Sequence, residues 1–217
     1  MDPFVRLQGV AAPMPIDNVD TDAIIPSKET QSTARSGYGE KLFANWRYLA
    51  GTREPDPDFV LNRPRHAGAQ VLVAGRNFGC GSSREAAVWA LSQFGIRAVI
   101  AESYGAIFRN NCIRNGVLPV MLPIAAVEQL LAELADAGRA PVVAVDLRAG
   151  TVRAPSGAVF GFEIGALERE MLLQGADEIE LTLKQRHLID AFRARDRALR
   201  PWVYADAGQE PSHAQDP

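Results

Sequence analysis

Cysteine and histidine are scarce in this 217-residue chain: two cysteines, Cys80 and Cys112, and three histidines, His66, His187 and His213. Two cysteines do not make a disulfide scaffold, and a reducing, cytoplasmic location with both thiols free is the expectation. No histidines pair at a ligand spacing, so no metal site is expected in this chain. A basic excess is also missing. The 23 lysines and arginines face 26 acidic residues, for a net charge of -3, which excludes a general nucleic-acid binder. No stretch approaches the roughly 20 apolar residues of a membrane helix, and the opening MDPFVRLQGV lacks the charged-then-apolar pattern of a secretion signal. No membrane association is therefore expected. There is no internal repeat and no G-x-x-x-x-G-K-[ST] nucleotide loop.

What remains is an ordinary globular composition, 47% hydrophobic and 23% charged, which excludes disorder throughout. One domain over residues 1–204 is expected. The last residues, 205–217, carry almost no apolar content and are expected to be a disordered tail.

The early chain is irregular. Phe4 to Val10 alternates enough for a short strand. Pro13 and Pro15 then suggest an extended or turn-like stretch. Asp17 to Asp22 holds three aspartates and an asparagine and reads as a turn whose side chains bond local N–H groups. Residues 27–40 form a polar loop of a length that is more often functional than idle. Lys28 and Arg35 there, and Arg47 shortly after, are either a solvated face or an attraction for an anionic substrate. A short aromatic helix is expected over Leu42–Leu49.

From residue 69 the pattern becomes alternating strands and helices. Gln70–Ala74, Ala98–Ala101 and Leu118–Leu122 are apolar runs of the buried parallel type. Helices are expected over Ser83–Phe94, Tyr104–Asn115 and Ile124–Ala137, the last with an apolar face at 124, 127, 130, 131 and 134. Two β-rich stretches follow, Val142–Leu147 and Val152–Ile164, the second turning at Pro155–Gly157. The remainder is helical: Ala166–Leu173, then one helix from Asp177, capped with Glu180, to about Leu199. The order is that of an α/β fold with a mixed, partly parallel sheet.

The chemistry concentrates in Gly75-Arg76-Asn77-Phe78-Gly79-Cys80-Gly81-Ser82-Ser83-Arg84-Glu85. The segment lies between a buried strand and a helix, where α/β sheets place ligands. Gly79 and Gly81 allow close backbone approach, the helix start offers N–H groups to an anion, and Arg84 can grip a carboxylate with two bonds. A competing reading is purely structural: Ser82-Ser83-Arg84-Glu85 fits a capping box. Two serines, an arginine and three nearby glycines exceed what a cap requires. A dinucleotide fingerprint fits poorly, because Arg84 stands where its third glycine belongs. Cys80, in this electropositive loop, is a candidate reactive thiol; Cys112 reads as a small buried residue. Asp20-Thr21-Asp22 is either a solvated turn or a source of carboxylates that orient a catalytic group.

Taken together these residues resemble the small subunits of 3-isopropylmalate dehydratases, relatives of the swivelling domain of aconitase. The resemblance is carried by Asn18-Val19-Asp20-Thr21-Asp22-Ala23-Ile24-Ile25-Pro26, Phe59-Val60-Leu61-Asn62-Arg63-Pro64, Asn77 to Glu85 and Ala101 to Pro119, with Gly37-Tyr38-Gly39 and Leu42 to Tyr48 adding a fifth block. It implies a three-layer β/β/α swivelling domain. It also implies a hydro-lyase that interconverts 2-isopropylmalate and 3-isopropylmalate in leucine biosynthesis, through dehydration and rehydration. A [4Fe–4S] cluster acts there as Lewis acid and belongs to a separate large subunit. Such a cluster takes three protein thiolates, more than Cys80 and Cys112 can supply, so an obligate large-subunit partner is implied.

By resemblance, Ser82 is the base and Asp22 lies at the active-site edge. Ser83 and Arg84 bind the substrate carboxylate, with Gly81, Cys80, Thr21 and Asp20 completing the substrate surface. Three positions depart from the family pattern. Ala86 stands where a histidine is usual and Ala106 where an aspartate is usual. Ser27-Lys28-Glu29-Thr30-Gln31 lacks the usual aromatic and leucine, in the loop that reads the substrate's side group. A hydratase for citraconate, dimethylmalate or another 2-substituted malate, and a non-catalytic module of the same fold, stay open as alternatives.

Overall fold

The computed structural model describes residues 1–30 and 36–204. It divides into two compact units, Met1–Ala176 and one beginning at Asp177. The first unit is built on a single seven-stranded sheet whose order is Leu118–Met121 (β4), Ala98–Ala101 (β3), Val71–Ala74 (β2), Arg6–Met14 (β1), Val142–Asp146 (β5), Thr151–Arg153 (β6) and Val159–Gly161 (β7), the mixed, partly parallel sheet expected for the α/β class.

Strand β1, Arg6–Met14, joins the two halves of that sheet. Its first half pairs antiparallel with β5, Val142–Asp146, and its second half parallel with β2, Val71–Ala74. The strand was expected to stop at Val10. It continues through Pro13 because the β5 ladder has ended by then: the last pair is Val10↔Val142, and the Ala11 N–H reaches the Pro141 carbonyl at 2.7 Å. A proline lacking its N–H is tolerated where a strand is paired on one side.

Beyond β2 lie β3, Ala98–Ala101, and β4, Leu118–Met121, both parallel. β6, Thr151–Arg153, and β7, Val159–Gly161, extend β5 as an antiparallel hairpin around Gly157, whose φ is 92°. The parallel strands are legible in sequence because both of their faces are covered. Leu72, Ala74, Val99 and Ala101 enter one core cluster together with Ala87, Val88, Ala90 and Leu91. These last four belong to α3, Glu85–Phe94. Val71, Val73, Ala98 and Ile100, one residue out of phase, are equally buried. Helix α5, Ile124–Ala135, packs on β1 and β2. Its buried residues are Ala126, Val127, Leu130 and Leu134, while Ile124, placed on this face by periodicity, is exposed.

Helix α4, Ala106–Arg114, connects β3 to β4 and is tied to α6, Ala166–Gln174, by a fork of bonds from Arg109 to Glu168 at 2.7 and 2.6 Å. Two short helices precede β2: α1, Thr21–Ile24, and α2, Ala44–Arg47. The second is shorter than the expected Leu42–Leu49. Phe43 enters it at φ 51°, a left-handed conformation, and Tyr48 leaves it extended at φ -120°.

The second unit has α7, Glu178–Leu183, and α8, Arg186–Leu199, in place of one continuous helix. Gln185, at φ -95° and ψ 19°, separates them. The Asp177–Glu180 capping box forms as expected, with bonds of 2.7 and 2.9 Å. Residues 205–217, where a disordered tail was expected, lie outside the described residues. No helix among the described residues is long and apolar enough to cross a membrane.

Candidate active site

β1, β2 and β3 run parallel, so the loops that leave them emerge at one edge of the sheet. There the glycine-rich loop after β2 is laced between the other two. Toward the loop after β1, the Asn18 N–H donates to the Arg76 carbonyl at 2.9 Å. The Gly79 N–H donates to the Val19 carbonyl at 2.7 Å, and the Thr21 N–H to the Cys80 carbonyl at 3.0 Å. Toward the loop after β3, the Phe78 N–H donates to the Ser103 carbonyl at 3.0 Å and the Gly105 N–H to the Phe78 carbonyl at 2.9 Å. The loop thus behaves as a frayed continuation of the parallel ladder. Its glycines are required by geometry: Gly79 has φ 71°, and a Cβ there would lie 2.1 Å from Phe108 Cγ.

The capping-box reading of Ser82–Glu85 is not what the chain forms. Helix α3 starts at Glu85 with Arg84 in the N-cap position, extended at φ -129°, and no side chain among the described residues caps it. The Ser82 carbonyl is instead held by Thr21 Oγ1 at 2.8 Å. Ser82 and Ser83 are exposed ahead of the helix, and the uncapped first turn leaves its N–H groups and partial positive charge for an anion.

Arg84 reaches back to α1. Its Nη2 donates to Asp22 Oδ2 at 2.9 Å and its Nη1 to Asp22 Oδ1, a two-bond fork between residues that lie 62 apart in the chain. Asp22 also accepts from Ser27 Oγ at 2.9 Å. The Arg84 bonds, then the Ser27 bond, hold the Asp22 carboxyl below its ordinary range. Ionised Asp22 therefore fixes the plane of the guanidinium, whose Nη1 also donates to the Ile25 carbonyl at 3.4 Å, and of its five N–H groups those beyond these three bonds remain for a ligand.

The structure brings together Asp20, Thr21, Asp22, Cys80, Gly81, Ser82, Ser83 and Arg84. Their environments differ. Thr21 is buried, with its hydroxyl committed to Ser82. Asp20 caps α1 by accepting from the Ala23 N–H at 2.7 Å. Cys80 is half-exposed, and its thiol donates to the Asn18 carbonyl at 3.5 Å. Cys112 lies in the core, where burial pushes its thiol far up. These two thiols do not form a cluster ligand set, and among the described residues no trio of His, Cys, Asp or Glu is placed to hold a metal.

Arg47 is not a free attractor for anions: it donates to the Gly39 carbonyl at 2.9 Å and lies 4.7 Å from the Phe94 ring. Arg35 lies outside the described residues. Sequence reasoning missed Ser27 and the Asn18–Asn77 pair. Asn77 Nδ2 donates to Asn18 Oδ1 at 2.8 Å, and both residues sit at φ 55°. Two asparagines next to turn motifs were the available signal, since asparagine tolerates this conformation.

The aconitase C-terminal domain family matches residues 1–125. A 3-isopropylmalate dehydratase small subunit from Cupriavidus necator is 57% identical over 207 residues, covering 95% of this chain and 100% of its own length. One from Dinoroseobacter shibae is 49% identical over 203 residues, with 94% and 100% covered. The chain belongs to the 3-isopropylmalate dehydratase small-subunit family. The solved 3-isopropylmalate dehydratase structure from Methanocaldococcus jannaschii has the same fold at 31% identity, with a TM-score of 0.61 over 87% of this chain and 99% of that one. Ala86 packs partly buried against the core cluster in the first turn of α3, and Ala106 opens α4 and is exposed.

Proposed function

We propose that this chain is the small subunit of a hydro-lyase that interconverts 2-isopropylmalate and 3-isopropylmalate, in leucine biosynthesis and in the cytoplasm, together with a large subunit. The observation that carries this reading is the convergence of Ser82, Ser83 and Arg84 with Asp22 at one edge of the parallel strands. A [4Fe–4S] cluster held by the partner would supply Lewis acidity toward the departing hydroxyl. This chain contributes no ligand to it and supplies the groups around the reacting carbon.

Ser82 is assigned as the base that takes the proton from the carbon next to the leaving hydroxyl. A serine hydroxyl is weakly basic unless its alkoxide is stabilised. The uncapped start of α3 and the Arg84 charge provide that stabilisation. Ser83 and the remaining donors of Arg84 bind a substrate carboxylate, the two-bond geometry that guanidinium suits best. Thr21 positions Ser82 from below through the carbonyl bond, and Asp22 orients Arg84. Return of the proton and of water in the opposite sense to the alkene completes the isomerisation.

A substrate panel on the anaerobically reconstituted two-subunit enzyme tests this reading. Turnover of 2-isopropylmalate above citraconate hydration and dimethylmalate dehydration is expected. A clear preference for one of the latter, or no turnover of any, would overturn the assignment.

A further inference from the structure

A second constellation touches the site from outside the glycine loop. After α1 and the buried Pro26, the chain makes a single helical turn, Ser27–Glu29. One end of this turn holds Asp22 through Ser27 Oγ at 2.9 Å. The other end is clamped. Arg53 Nη2 donates to both carboxylate oxygens of Glu29, at 2.7 and 2.6 Å, and Lys41 Nζ donates to the Glu29 carbonyl at 2.8 Å. The Glu29 side chain is 11% exposed and that of Arg53 56%, so the carboxylate is shielded while the guanidinium lies half in solvent.

Arg53 is itself anchored. It lies 5.2 Å from the Tyr48 ring, on a turn closed by the Leu49 N–H donating to the Glu54 carbonyl at 2.9 Å and by the Tyr48–Pro55 bridge. Between this turn and the Ser27–Glu29 turn lies a cavity of about 630 Å³. The buried Pro26, the Ser27–Asp22 bond and this clamp together hold that wall in place.

We infer that Arg53 is a positioning residue for the reaction: by gripping Glu29 it fixes Ser27 on Asp22, and so sets the orientation in which Arg84 meets a substrate carboxylate. The inference rests on the functional reading above. It places a determinant of substrate binding 31 residues beyond Asp22 in the chain, in a segment with no chemistry of its own. The relay is Arg53, Glu29, Ser27, Asp22, Arg84. Its links are polar contacts, except for the single helical turn that joins Glu29 to Ser27. Loss of the first link should loosen the last without removing any group that touches substrate.

The test compares Arg53→Ala, Ser27→Ala, the double variant and Arg53→Lys in the reconstituted enzyme, with amide hydrogen exchange on the full-length small subunit alongside. Arg53→Ala should raise KM roughly tenfold with kcat changed much less, the pattern of lost substrate binding. Ser27→Ala should do the same, and the double variant should be no worse than either single one. Arg53→Lys should recover part of the loss. An unchanged KM for Arg53→Ala, or additive effects with Ser27→Ala, would overturn the inference. Exchange gives a readout that does not depend on turnover. In Arg53→Ala, amides of residues 22–30 should exchange faster while Gly79 and Gly105 keep their protection. Unchanged exchange at 22–30 would also overturn it. If the wild-type complex turns over no malate, the functional reading fails, and exchange alone then decides the relay.

Discussion

Replacing Gly79 by alanine tests the loop geometry on which the site depends. Gly79 sits at φ 71°, and an added Cβ would lie 2.1 Å from Phe108 Cγ, 2.3 Å from Cδ1 and 2.7 Å from Cβ. A left-handed alanine costs roughly 1–2 kcal/mol. The clash is the larger matter. Because Phe108 Cβ is involved as well as its ring, turning the ring does not clear the space. Phe108 is 3% exposed and packs edge-on against Phe78 at 5.5 Å, so it has nowhere to go without repacking, at a further cost of about 1–3 kcal/mol. The internal control is Gly157→Ala in the β6–β7 turn. That residue has φ 92°, and a Cβ added there would meet nothing within 4 Å, so it reports the backbone cost alone. Urea unfolding of the full-length small subunit, followed by circular dichroism, should place Gly79→Ala about 1–3 kcal/mol below Gly157→Ala. Equal stabilities would refute the close approach of the glycine loop to α4.

Two further outcomes follow from the titrating groups. Asp22→Asn removes the charge that orients Arg84; because Asp22 is largely exposed the stability change should stay under about 1 kcal/mol, while kcat/KM falls roughly tenfold or more. In the wild type the Asp22 carboxyl is held below its ordinary value, chiefly by Arg84, so the pair is intact above the ordinary carboxylate pKa and is lost only as pH falls through the lowered folded value. An NMR titration should show this, and Arg84→Ala should return Asp22 to the ordinary range. His66 is buried, with Nδ1 at 2.9 Å from the Ala11 carbonyl, and burial first, then Arg65 and Arg63, lower its pKa from 6.5. The unfolded chain then binds a proton more readily. Stability should be full above about pH 6.5 and decline as pH falls below it, and His66→Asn should remove that slope from pH-dependent unfolding curves.

The parallel core was readable because strands covered on both faces become continuous apolar runs such as Val71–Ala74 and Ala98–Ala101. Gly116 and Gly175, at φ 74° and 62°, were readable as helix ends because glycine takes the left-handed conformation freely. What escaped depends on contacts between distant residues. Pro13 stops a strand in isolation, and only the end of the β5 ladder at Val10 explains why β1 continues. Ser82–Glu85 satisfies every local rule for a capping box, but Thr21, 61 residues away, holds the Ser82 carbonyl and shifts the helix start to Glu85. The conflict between cap and catalytic serine that the motif posed is removed by that one bond. The Asp22–Arg84 fork has no local signature at all, and neither does the role of Ser27.

The central claim is that Ser82, presented ahead of α3 and steadied by Thr21, is the base of the reaction. Its most direct test is the single-turnover rate of Ser82→Ala in the anaerobically reconstituted enzyme at saturating 2-isopropylmalate, with assembly of the two subunits verified. A fall in rate of about 10²-fold or more, with assembly intact, is the predicted result. A Ser82→Ala complex that turns over at the wild-type rate would contradict the account.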